Sequence, residues 1–107
     1  MKTANAYCVV LVTASSRPEA RRIARSLLEK RLVACANIVP GIESHYWWQG
    51  KLDCSREWLL ILKTRRARFA AVEKLVKQLH SYQVPEIIAV PLVAGQRDYL
   101  RWLSEQH

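Results

Sequence analysis

What this sequence lacks narrows its chemistry first. Its three cysteines, Cys8, Cys35 and Cys54, are odd in number. None stands in a C-x-x-C or other zinc-ligand spacing, which speaks against a disulfide framework and against a structural zinc site. The three histidines, His45, His80 and His107, form no H-x-x-x-H or H-E-x-x-H pattern. There is no G-x-S-x-G, no P-loop and no G-x-G-x-x-G, so nothing marks a nucleophile, an NTP cradle or a dinucleotide turn. The expectation is a protein that is not an enzyme and requires no cofactor. No apolar run approaches the roughly 20 residues of a membrane-spanning helix, and Met1 to Asn5 is too short and too weakly basic for a signal peptide. A cytoplasmic protein with no membrane partner is expected. Acidic side chains are also scarce, 9 against 17 Lys and Arg, for a formal charge of +8.

That excess of cations could signal nucleic acid. Most of it falls at Arg17 to Arg31 and Lys63 to Lys77, where apolar residues recur at helical spacing on the opposite side. The cations therefore read as solvated helix faces. With 107 residues, half of them apolar, the chain suits one domain spanning residues 1–107.

Tyr7 to Thr13 reads as a strand that is apolar on both faces. Ser16-Arg-Pro-Glu19 is a capping-box pattern opening a helix, with Ser16 as N-cap and Glu19 three residues on. Ala20, Ile23, Ala24, Leu27 and Leu28 form its apolar stripe, and Lys30 and Arg31 suit its C-terminal dipole. Val33 to Ile42 is a β-prone run that Pro40-Gly41 must bulge or bend; it resumes through Ser44 to Trp48. Gln49-Gly50-Lys51 turns into a partner strand, Glu57 to Lys63, giving a long hairpin whose aromatic end projects beyond the domain. Thr64 is placed as the cap of a second helix carrying Phe69, Val72, Leu75, Val76 and Leu79. Glu86 to Val90 reads as a last core strand, and Gln96 to Glu105 as a terminal helix.

This β-α-β-β-α-β order with a C-terminal helix is a ferredoxin-like α+β sandwich. Two crossover helices can cover only one face of such a sheet. Yet Tyr7 to Val12, Trp58 to Leu62 and Ile87 to Val90 do not alternate apolar with polar, as one-sided strands should. A second copy of the same chain is the economical cover for the other face. The same topology serves RNA-recognition domains, but those stack bases on aromatics of their central strands. Here those strands read Val9-Val-Leu-Val12 and Leu59-Leu-Ile-Leu62, so no nucleic-acid partner is expected. Acylphosphatases share the topology too. They need a phosphate-binding loop after the first strand, where Thr13-Ala-Ser-Ser-Arg17 leads directly into a helix.

Over nearly the whole chain, the residues resemble the CutA divalent-cation tolerance family. The resemblance rests on Leu28-Glu-Lys-Arg-Leu32, Ala34-Cys-Ala-Asn-Ile38, Pro40-Gly41, Ser44-x-Tyr46-x-Trp48-x-Gly50-Lys51, Leu62-Lys-Thr64, His80-Ser-Tyr-x-x-Pro-Glu-Ile87 and Tyr99-Leu-x-Trp102. It implies a homotrimer and a role in tolerance to copper and other divalent metals. It also implies a metal ligand at His80, with Glu86 as the oxygen donor nearest in sequence. Leu79 and Val12 replace further ligands found in some members, so copper(II) binding is expected to be weak. A helix-end histidine is the plainer reading of His80. The resemblance further implies an inter-subunit cleft with Cys35, Tyr46, Trp48, Glu57, Lys63 and Tyr82. The alternative is a trimeric regulatory module that binds a small anionic ligand in such clefts.

Overall fold

The four strands β1 (Tyr7–Ala14), β2 (Cys35–Trp48), β3 (Lys51–Arg65) and β4 (Ile87–Pro91) form one sheet in the order β2-β3-β1-β4. A computed structural model describes residues 3–106 of the chain. Every hydrogen-bonded neighbour pair is antiparallel. Each β-α-β crossover therefore joins strands that lie parallel on either side of a third. Helix α1 (Arg17–Glu29) makes the first crossover and α2 (Phe69–Leu79) the second; α3 (Arg97–Glu105) closes the chain. This is the ferredoxin-like arrangement.

Helix α1 starts where Ser16 Oγ accepts the backbone N–H of Glu19 at 3.2 Å. It ends with Arg31 at φ 59°. The N–H of Arg31 donates to the carbonyl of Leu28 and that of Leu32 to the carbonyl of Leu27, both at 3.0 Å, the paired closure of a left-handed helix stop. Its buried stripe is Ala20, Ile23, Ala24 and Leu27. These pack with Val72 and Val76 of α2 onto Cys8, Val10, Val12, Leu60 and Leu62 of the central strands. Fully burying one such leucine or valine contributes about 2 kcal/mol.

Three placements differ from expectation. Thr64 does not cap α2: it is buried within β3, and its hydroxyl donates to the carbonyl of Leu32 at 2.6 Å. Strand pairing with Cys8 carries the chain past it. A 3-10 turn, Arg66–Arg68, leads into α2, whose N-cap Arg68 makes no side-chain cap bond. The last strand, β4, is an edge strand, with Ile88 and Val90 each 49% exposed. The partner strand of the hairpin begins at Lys51, well before Glu57.

The expected bulge is present. Val39 pairs with Leu59 and Ile42 with Glu57, so Pro40 and Gly41 together oppose Trp58, with Gly41 at φ 68°. Beyond it the pairing runs unbroken to Trp48 and Lys51, and Gln49 and Gly50, both at positive φ, make the two-residue turn. This two-stranded arm stretches the molecule to 47 Å in its longest dimension.

Side chains alternate across a strand. On β3, Trp58, Leu60, Leu62 and Thr64 face the helices, while Glu57, Leu59, Ile61 and Lys63 face away. The register adds Val9, Leu11, Ile88 and Val90 to that second face. Helix α3 is fastened near one end, where the Arg65 guanidinium donates to the carbonyl of Ser104 at 2.7 Å. The rest of the face is an apolar band over which no described helix packs, with Val9, Leu11, Leu59 and Ile61 partly exposed and Ile88 and Val90 exposed.

Candidate functional site

The loop that follows α2 gathers a polar cluster. The N–H of His80 still donates to Val76 at 2.9 Å, which closes the helix and aims the imidazole across the end of β1. There Nε2 donates to the carbonyl of Thr13 at 2.7 Å, and Nδ1 accepts the N–H of Tyr82 at 3.1 Å. The side chain has no exposed surface. Both ring nitrogens are thus used, with the proton on Nε2 and the Nδ1 lone pair taken by the Tyr82 N–H.

Glu19 ties the same loop to the start of α1. One carboxylate oxygen accepts from the N–H and the hydroxyl of Ser15, at 2.9 and 2.8 Å, and the other from the N–H of Ser81 at 2.7 Å. Burial by itself would raise its pKa, but these donors outweigh burial and hold the carboxyl at about 2. The glutamate of the capping-box pattern therefore reaches past the N-cap to Ser15 and across to the second crossover. In the same loop, the Tyr82 hydroxyl donates to Glu57 at 2.7 Å. Burial first, then the bond to Glu57 and its charge, push the phenol well above its ordinary value, so it stays a donor.

Within one chain, the residues expected at the inter-subunit cleft fall into separate groups. Glu57 and Tyr82 are joined directly. Cys35 lies with Lys63, whose ammonium is 3.9 Å from the thiol and bonds Asn37. Burial, with Cys35 beside it, raises the Tyr99 phenol at this second group. Six positions along β3 separate Glu57 from Lys63, roughly 20 Å. Tyr46 and Trp48 stand on the arm, where the Tyr46 hydroxyl donates to Ser55 at 3.0 Å. Exposed Glu86 makes no hydrogen bond or ion pair with His80 among the described residues. His107 lies outside the described residues.

Elsewhere, a cleft of about 640 Å³ between α3 and the start of β1 is lined in part by Arg65, Arg97 and Arg101. On the arm, the ligand-type atoms of Glu43, His45 and Cys54 lie within 4.8 Å of one another. Sequence reading left Cys54 without a partner. Once the turn is placed at Gln49 and Gly50, paired residues have numbers that sum to 99, which sets His45 opposite Cys54.

Comparison with known proteins decides the family. The model of the CutA1 divalent ion tolerance protein family matches residues 8–106. The chain belongs to the CutA1 family. It is 50% identical over 97 residues to the divalent-cation tolerance protein CutA of Thermus thermophilus, covering 91% of this chain and 94% of that one. Among solved structures, CutA1 from Oryza sativa superposes with a TM-score of 0.93 at 45% identity, over 98% of this chain and 96% of that one. The periplasmic divalent cation tolerance protein CutA of Archaeoglobus fulgidus gives 0.91 at 45% identity, over 94% and 97%. The Thermus and Archaeoglobus names describe tolerance to divalent cations. For a CutA1 chain, the His80 and Glu86 pair fits a bound metal poorly, because one donor is spent within the fold and the other stands apart.

Proposed function

We propose that this CutA1-family chain acts as a homotrimer in the cellular response to divalent cations, without catalysing a reaction. The uncovered apolar band on the sheet carries the assembly. Val9, Leu11, Leu59, Ile61, Ile88 and Val90 share a face that no described helix covers and that stays partly exposed, and a second copy matches it in chemistry and extent. The divalent-cation role comes from the names of relatives that match nearly end to end. The cytosol suits three unpaired thiols. Copper(II) binding through His80 is weak in this reading, since the cation must displace the Tyr82 N–H from the one lone pair of a buried ring.

Two measurements test this. Light scattering at micromolar concentration gives three times 12.4 kDa; a folded monomer overturns the assembly. Expression in a bacterium lacking its own family member restores growth on copper-containing medium. Failure of the expressed trimer to do so overturns the tolerance role. The arginine-lined cleft beside α3 favours a second reading, a module for a small anion, and saturable heat on titration with inorganic phosphate or ATP would support it.

A further inference from the structure

Three donors of different chemistry meet on the arm, away from both clusters in the body of the fold. His45 and Cys54 are direct register partners, and Glu43 lies two residues before His45, so pleating puts all three on one face. His45 Nε2 stands 2.5 Å from a Glu43 carboxylate oxygen and 3.9 Å from Cys54 Sγ. We propose that Glu43, His45 and Cys54 form a three-ligand site for a thiophilic divalent cation of the zinc class, with a fourth position open to water.

A surface Glu-His pair alone would be an ordinary ion pair of little consequence. The thiol changes the chemistry. Thiolate, imidazole and carboxylate together match zinc(II), which takes S, N and O donors and keeps an open position when the protein supplies three. Tetrahedral bonds of ordinary length set nitrogen and sulfur roughly 3.6 Å apart, and nitrogen and oxygen roughly 3.4 Å. The His45–Cys54 spacing is already close to this. The carboxylate must withdraw by about 1 Å, an easy rotamer change for an exposed side chain. Arg56, paired with Glu43 in the register, is the cation nearest in the pairing, and among the described residues no ion pair joins the two.

The placement also keeps the site open in an assembly. On β3, Cys54 and Arg56 continue the helix-bearing face, whereas Asp53, Ser55 and Glu57 continue the apolar one. Burying the apolar face against other copies therefore leaves the three donors outside, one set per chain. Binding there is a property of the arm; only its physiological meaning rests on the tolerance reading.

The test uses the reduced full chain in oxygen-free buffer, with zinc(II) followed by calorimetry and cobalt(II) by absorption. The expected result is one equivalent per chain and a thiolate-to-cobalt charge-transfer band. Cys54→Ser abolishes the band, and Cys54→Ser and His45→Ala each weaken zinc binding tenfold or more. Glu43→Gln weakens it several-fold. The side chains are exposed, and unchanged mass and circular dichroism check that each variant folds. A band that persists in Cys54→Ser, or parental zinc affinity in His45→Ala, overturns the site. Failure of the parent to restore growth on metal, with the cobalt band intact, counts against the tolerance role alone.

Discussion

Glu19 does more than its place in a capping pattern requires. It accepts three hydrogen bonds while only 5% exposed, joining the start of α1 to the loop after α2. Its pKa of about 2 lies below the usual value of 4.5. Between these values the unfolded chain binds the proton and the folded chain does not, so folding stability rises with pH across the window. The contribution is complete above about pH 4.5 and is lost as pH falls towards 2, on the order of 3 kcal/mol in all. Denaturant unfolding at several pH values should show this slope in the parent and a much flatter one in Glu19→Gln. Equal slopes would mean that the three donors do not stabilise the charge. His80 is the same kind of residue, its two nitrogens bound to backbone groups of two segments. The sequence placed it at the end of α2, where it stands as the C-cap, but could not show that Thr13 and Tyr82 take up both nitrogens.

Among the elements, α1 carries a visible inefficiency. Its stop places Arg31 in the left-handed region at φ 59°, a conformation that glycine adopts without the Cβ clash. Arg31→Gly should raise unfolding stability by about 0.5–1 kcal/mol, less than the full relief because glycine also loses more freedom on folding. The readout is a higher denaturant midpoint with an unchanged slope, at fixed protein concentration. A lower midpoint would show that the arginine side chain contributes something glycine cannot replace. Both ends of α1 were foreseen from Ser16 and from the cations at Lys30 and Arg31. The start of α2 was not. Thr64 has the chemistry of a cap, but β3 continues through it because Tyr7 and Cys8 supply strand partners on β1.

At the scale of the whole molecule, the arm and the open face act together. Alternation puts Tyr46 and Trp48 on the side that extends the apolar band, and Trp47 on the other. Trp48 is 43% exposed and Trp47 70%. In the proposed trimer, Trp48→Ala should weaken assembly by about 2 kcal/mol, while Trp47→Ala should change it by under about 0.5 kcal/mol. Dilution series followed by light scattering separate the two. Equal effects would mean that the faces of the arm are not distinguished in the assembly.

Periodicity, caps and turn chemistry act over a few residues, so the sequence by itself determined the element order, the ferredoxin-like topology, the bulge at Pro40-Gly41 and the hairpin turn. It also implied an uncovered face, because strands apolar on both sides need two covers and the crossover helices supply one. Only the tertiary structure decided which side chains meet. Register and pleat set Cys54 against His45, and one helix end brings His80 to a carbonyl 67 residues away. Within one chain, the residues expected at an inter-subunit cleft lie in separate groups for the same reason: six residues of extended strand outreach any side chain. The His80 meeting depends on three-dimensional distance between segments remote in sequence, which no local pattern encodes, whereas the His45 and Cys54 pairing follows from the turn once its two residues are fixed.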